Sequence, residues 1–328
     1  MQRAASLMPL AALLAEFGAS MDQVLAGTGV NQDQLRPDAF IPYSAYLAIL
    51  DNACRATGRD NIGMLLGQRQ TLAALGPLGA AMRHAATLGE AIAAFVEFQI
   101  SNSTGGAVYL IRAEQDAILG YGVYDQTVNA SHQIYDMVLA VGCNLLAELT
   151  HGAVGPAEIF LSRPATDDPA PYQRLGRCPV RLGQSQTGLL LTPASLAFRL
   201  PEADAKRHDH TRAGLVTALE DLRPEMSRQV RHLLRPLLLI GHGNMEDVAG
   251  RLAIHPRTLR RRLRQEGTSF EDIKDEVRYS AARELLMLGA LDISDIAFTL
   301  DYATVSSFVH AFRRWSGMSP GLWRRKEG

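Results

Sequence analysis

Two helical patterns of one design stand in tandem near the C-terminus, over 245–264 and 293–314, and no other feature restricts the fold of this chain as much. Each begins with a short apolar-periodic stretch around a small residue, Ala249 or Ala297. A brief turn follows, and then a second helix whose far side is polar or basic. That is helix-turn-helix spacing. Any helical hairpin can imitate one copy, but two copies joined by a single helical stretch over 269–288 are hard to produce by accident.

In the first unit Pro256 suits the first position of a helix, where its missing N–H costs nothing. Arg257, Arg260, Arg261 and Arg264 then recur at i, i+3, i+4 and i+7, which is one helix face. Leu259 and Leu263 fall on the opposite side, placed to pack on Val248 and Leu252. A leucine-anchored helix displaying guanidinium groups fits the major groove of DNA. There arginine pairs in bidentate fashion with guanine, worth about 1–3 kcal/mol of base discrimination per contact. In the second unit Phe308 and Phe312 are expected in the core, leaving Val305, Ser306, Ser307, Val309 and His310 outward. Such residues touch thymine methyls and base edges with less discrimination than arginine; for His310 a solvated surface histidine is the equal alternative. Arg264, Arg313 and Arg314 suit phosphate. Arg324, Arg325 and Lys326 form a basic tail, either phosphate-binding or merely solubilising.

Thr268 with Glu271 reads as a capping box for the connecting helix, with Gly267 before it and Gly289 at its exit. A stiff connector sets the distance between the two reading helices. A spacing near one turn of DNA, roughly 34 Å, lets one polypeptide read successive groove segments. The charge supports a polyanion partner at this end only: 223–328 holds 18 Lys+Arg against 13 Asp+Glu, although the whole chain has a net charge of −1.

The rest of the chain is core-forming, with 47% hydrophobic and 20% charged residues. Helices are expected over 4–17, 21–26, 44–57, 78–86 and 88–100. Two strand-like runs, 107–112 and 118–124, flank Gln115-Asp116 at hairpin spacing. A long helix over 128–149 and strands over 158–162 and 188–192 follow, the strands bracketing a Pro- and Asp-rich loop. The polar stretch 201–222 reads as a linker. A helix over 223–240, its leucines on one stripe, either opens the C-terminal unit or couples it to the body. The fold class is therefore an α+β N-terminal domain (1–200), mostly helical with a small mixed sheet, followed by an all-α domain (223–328) with two helix-turn-helix units.

Tyr109, Tyr121 and Tyr124 on the hairpin, with Asn129, His132 and Tyr135 on the next helix, are the nearest approach to a ligand-binding set; core tyrosines with satisfied hydroxyls are the alternative. The helix over 128–149 carries more apolar residues than one narrow stripe needs, which admits a homodimer interface. No catalytic residue, metal site or cofactor is expected. Cys54, Cys143 and Cys178 have no neighbouring histidine and read as structural thiols. Gly63, Gly67, Gly76 and Gly79 form no nucleotide fingerprint, and His84, His132 and His151 share no metal-ligand spacing. No run of about 18 apolar residues suggests a membrane span, so a cytoplasmic chain is expected.

The stretch 245–325 resembles the DNA-binding domain of the AraC/XylS family of bacterial transcription regulators, most specifically in Ile293-Ser-Asp-Ile-Ala, Ser307-Phe and Ala311-Phe-Arg-Arg-Trp-Ser-Gly-Met-Ser-Pro320. The resemblance implies seven helices and reading helices near 256–265 and 304–315. By position it implies base contacts from Arg257, Arg260, Arg261, Val305, Ser306, Ser307, Val309 and His310. It further implies promoter DNA and RNA polymerase as partners, with activation and repression both open. Asp301 departs from the glycine usual in that turn, implying slight strain. Asn61-Ile-Gly-Met-Leu-Leu-Gly67, Gly76-Pro-Leu-Gly79 and Leu88-Gly-Glu-Ala91 resemble the "arabinose-binding-like" domain of a subgroup of these regulators, which implies a domain that binds an effector, dimerises, or both. The alternatives are a regulator without a small ligand, controlled by a partner protein or by abundance, and an enzyme fused to a DNA-binding tail.

Overall fold

Proline and glycine punctuation sets the local elements of the body, and burial assembles them. The computed structural model describes residues 1–113, 115–124, 132–162, 170–222, 225–287 and 291–327. A two-residue strand, β1 (Gln2–Arg3), pairs antiparallel with β2 (Phe40–Ile41). The helix expected over 4–17 is interrupted at Pro9. Ala4–Leu7 form a 3-10 turn, and Pro9 stands at the N-cap of α1 (Leu10–Glu16), because within a helix its ring would clash with the preceding turn. Helices α2 (Met21–Leu25), α3 (Tyr43–Thr57), α4 (Ile62–Gly67), α5 (Pro77–Arg83) and α6 (Leu88–Phe98) complete this layer. Helix α3 stops at Gly58, whose φ of 63° no β-carbon obstructs.

Strands β3 (Gly106–Ala113) and β4 (Asp116–Val123) form the expected hairpin, but Asp116 pairs with Ala113 and belongs to the strand, not the turn. Helix α7 (His132–Leu149), β5 (Glu158–Phe160), α8 (Ala170–Gly176), β6 (Val180–Arg181), β7 (Thr187–Leu191) and α9 (Pro193–Leu196) follow. The sheet order is β3-β4-β7-β5-β6, antiparallel except between β5 and β6. Short α8 and β6 carry no periodicity long enough to be read beforehand.

Helix α7 corrects one expectation. Its apolar surplus is consumed inside the chain, with Ile134, Met137, Ala140, Leu145 and Leu146 buried in the body core. A helix apolar on most sides is an interior helix, so the surplus is no argument for a subunit interface. Gly63 and Gly67 explain how α4 reaches it: added β-carbons would lie 2.2 Å from the Gln133 carbonyl oxygen and 2.4 Å from that of Met137. These glycines allow close helix crossing.

The polar stretch 201–222, read as a linker, contains a helix, α10 (Ala205–Leu222), docked on α5. Leu215 reaches the core, and Arg212 makes two hydrogen bonds to the Glu97 carboxylate at 2.8 and 2.9 Å. Beyond it stand α11 (Met226–Leu239), α12 (Met245–Arg251), α13 (Pro256–Gln265), α14 (Phe270–Met287), α15 (Ile293–Thr299), α16 (Val305–Ser316) and α17 (Pro320–Glu327). These are the seven helices that the resemblance implied.

The connector α14 divides its buried side between two cores. Phe270, Ile273 and Val277 join the first unit, whereas Ala281, Ala282 and Leu285 join the second. Its capping box is Ser269 with Asp272 rather than Thr268 with Glu271, since Ser269 is the residue directly before the first helical turn. Gly289 lies outside the described residues, but Gly267 closes the preceding helix at φ 76° as expected.

Candidate nucleic-acid interface

The first reading helix is held at both ends and along its back. Asn244 caps α12 by accepting from the Asp247 amide at 2.8 Å, and Ala253 turns the chain at φ 52°. His255 Nδ1 then accepts from the Arg257 amide at 3.1 Å, directly before Pro256. Leu259 and Leu263 are buried against Val248 and Ala249. The opposite face carries Arg257, Arg260, Arg261 and Arg264, all exposed. Among the described residues none of these four has a carboxylate within 4.0 Å; Arg260 meets only the Met245 sulfur at 3.7 Å. The nearby Glu266 is occupied elsewhere. It accepts from the Met226 and Ser227 amides at 2.6 and 2.8 Å, so its charge caps α11 and leaves the guanidiniums unneutralised.

The second unit is built alike. Asp292 caps α15, and the backbone hydrogen bond from Asp295 holds its carboxyl below the usual range. Asp301 adopts φ 62°, a left-handed conformation that Asp tolerates better than most residues. Arg278 donates to its backbone oxygen at 2.7 Å and to its carboxylate at 3.2 Å, with Lys274 at 3.5 Å. Phe308 and Phe312 are fully buried, as expected. On the outer side Ser306 and His310 are exposed, whereas Val305 and Val309 are half-buried, and Val305 packs on the second core. Ser307 is exposed, but its amide and hydroxyl are engaged with Thr304, the N-cap. Arg313 is exposed, and Arg314 pairs with Asp275 of the connector. Arg324 donates to the Leu291 carbonyl at 2.7 Å.

The ligand set expected in the body is not brought round one cavity, because the β3–β4 hairpin has two buried faces. Tyr121 points into the body core, where its hydroxyl meets that of Tyr43 at 2.7 Å and its ring stands edge-on to Tyr135. Tyr109 and Tyr124 belong to the other face, against α11; Tyr124 lies edge-on to His232. His132 sits half-exposed with its Nε2 2.8 Å from Asp60, and Asn129 lies outside the described residues. Of the described members of that set, only Tyr121 lines a cavity of about 130 Å³ in the body, and only Tyr109 lines the groove of about 1780 Å³ between body and tail.

The outer hairpin face closes over a group that periodicity did not reveal. Arg235 of α11 and Glu284 of α14 form an ion pair at 3.2 Å with side chains 1% and 5% exposed. The Gly122 backbone lies directly on the Arg235 side chain. Burial, and next the Glu284 carboxylate, push the Tyr135 phenol well above its ordinary range. The one available signal was an arginine within the leucine stripe before Pro236. The thiols are raised rather than activated: burial pushes Cys143 up to about 12 and raises Cys54 and Cys178, the reverse of a reactive thiolate. Among the described residues no three His, Cys, Asp or Glu side chains gather as a metal site, and no helix is long and apolar enough to cross a membrane.

Comparison with known proteins agrees with both halves. Residues 18–200 match the family model described as the arabinose-binding domain of AraC transcription regulator, N-terminal, which is more than half of the chain, and 248–326 match a helix-turn-helix domain. The transcriptional regulator VirS of Mycobacterium tuberculosis is 28% identical over 296 residues, covering 89% of this chain and 86% of that protein. The ornithine utilization regulator of Pseudomonas aeruginosa is 26% identical over 331 residues, with 95% and 93% covered. Among solved structures, the transcriptional regulator CdpR of Pseudomonas aeruginosa matches with a TM-score of 0.45 and 24% identity over 88% of this chain and 93% of that one.

Proposed function

The chain belongs to the AraC family of transcription regulators, and from that membership we propose that Arg257, Arg260 and Arg261 read base edges of a promoter site, with Arg264 on phosphate. The observation that carries this reading is the set of exposed guanidiniums on one face of α13 without a carboxylate partner among the described residues. Ser306, Val309 and His310 serve the second groove segment, with Val305 and Ser307 giving it shape, and Arg313 takes phosphate. Arg314 contributes less, since its charge is shared with Asp275.

In the same reading the body (1–200) senses a small effector in the cytoplasm, α10 ties it to the tail, and 223–328 binds DNA beside RNA polymerase. The β3–β4 hairpin is the coupling element, because its inner face walls a body cavity and its outer face bears on α11 and α14. An effector shifts the population toward the form that docks on DNA, and its leverage equals its differential affinity for the two forms.

Binding titrations on specific and scrambled duplexes test the DNA face. Arg260→Ala should lose about 1–3 kcal/mol of preference at one base pair. Arg264→Ala should weaken all sequences alike and lower the salt slope by about 1. Equal loss on both duplexes for Arg260→Ala overturns the assignment of that face.

A further inference from the structure

Helix α11 has no side-chain cap of its own. Glu225 stands at its N-cap position and makes no side-chain hydrogen bond to the first turn, so the amides there need acceptors from elsewhere. Glu266, the C-cap residue of the reading helix α13, supplies them. Its two carboxylate oxygens accept from the Met226 amide at 2.6 Å and from the Ser227 amide at 2.8 Å. The end of the helix that carries the exposed arginines is thus tied to the start of α11.

The body hairpin meets α11 on its other side. Met226, Val230, Leu234 and Leu237 form one stripe, which joins Leu259 and Leu263 of α13 in a single core. At about 100° per residue, His232 and Arg235 fall opposite that stripe. There Tyr124 stands edge-on to His232, and the Gly122 backbone lies on Arg235. Arg235 is about 14 Å along the helix from Met226. One short rod therefore touches the body at one end and holds the reading helix at the other.

We propose that Glu266 is a positioning residue for DNA reading: it sets the direction of α13 against α11, so that a displacement of the hairpin reaches Arg257, Arg260 and Arg261. Apolar packing in the shared core is non-directional. Two charge-assisted hydrogen bonds to one carboxylate are directional, and the helix dipole favours the negative charge at that end. This deepens the reading that the hairpin couples body to tail and rests on it. Glu266 is exposed, so the coupling belongs at the low end of the usual range, about fivefold in affinity.

A double-mutant cycle on DNA affinity tests the proposal in the full chain, with a duplex that the wild-type chain selects from a random pool. Gly122→Ala presses the hairpin on Arg235 and should change Kd about fivefold. Tyr124→Leu is the second perturbation of the same contact, used if the first prevents folding. Both are repeated in Glu225→Ser/Glu266→Ala, where a serine N-cap restores the first turn of α11 without tying it to α13. In that background the hairpin substitutions should change Kd by less than about twofold, and Glu266→Gln, which keeps one acceptor, should fall between. A carboxylate that served helix stability alone would be replaced by the serine, and the coupling would survive. Equal Kd ratios in both backgrounds therefore overturn the proposal and leave the hairpin reading intact, its coupling then running through the core. No change of Kd from either hairpin substitution in the wild-type background overturns the hairpin reading and this proposal together.

Discussion

Replacing Glu284 by Gln should destabilise the chain far more than a typical ion-pair substitution, because the body hairpin removes the Arg235–Glu284 pair from water. The two side chains are 1% and 5% exposed, and Nε and Nη1 of Arg235 have no hydrogen-bond partner among the described residues. Taking away the negative charge leaves a buried guanidinium among Tyr109, Gly122 and Tyr135 without its counter-ion. Breaking a buried pair from one side costs about 3–5 kcal/mol, whereas exposed pairs are worth about 0–1 kcal/mol. The pair is itself under-satisfied, so replacing both members by apolar groups of similar volume should be neutral or stabilising by about 1–4 kcal/mol. Urea denaturation of Glu284→Leu, Arg235→Met and Arg235→Met/Glu284→Leu forms the cycle that separates these terms, with Glu284→Gln measured beside it. Single costs below about 1 kcal/mol would mean that the hairpin does not seal the pair from solvent. A double variant as unstable as the worse single would mean that shape, not charge, governs the seam.

Other consequences follow from the same seam and turns. Gly122→Ala places a β-carbon 2.9–3.1 Å from Arg235, so it should cost about 1–3 kcal/mol through overpacking in the same denaturation assay; an unchanged midpoint would show that the hairpin yields freely. Burial lowers the His232 pKa to about 4 from 6.5. Between those values the unfolded chain binds a proton that the folded chain refuses, so stability is full above pH 6.5 and falls as the pH drops toward 4, by up to about 3 kcal/mol. Unfolding midpoints against pH should therefore flatten over that window in His232→Gln, and equal slopes would remove His232 as the cause. Asp301→Ala loses the partner of Arg278 and Lys274 and keeps the left-handed turn without a tolerant residue, a cost of about 1–2 kcal/mol. Hydrogen exchange should place that loss in α15 and α16 and leave α12 and α13 protected; a uniform loss refutes a local role.

Much of the tail was legible before folding because its information is local. Arginines at helical spacing and leucines opposite them define two faces whatever lies beyond, and Pro256 and Gly267 mark the ends by backbone chemistry alone. The single-residue slip at Ser269 is of the same kind: neighbouring residues offered similar caps, and the final turn selected one. The tyrosines were visible as residues but not as a site. Alternation along β3 and β4 says that neighbours face opposite ways, yet both faces of this hairpin are buried, so period two could not tell the body side from the tail side. Likewise Arg235 and Glu284 lie 49 residues apart, and the body cavity is walled by residues of the hairpin, α7 and β7 that are distant in sequence. Local order thus determined the helices of the tail, whereas the seam, the two buried faces of the hairpin and the cavity were decided by tertiary packing. Periodicity encodes which side of an element avoids water, and only the assembled chain determines what that side meets.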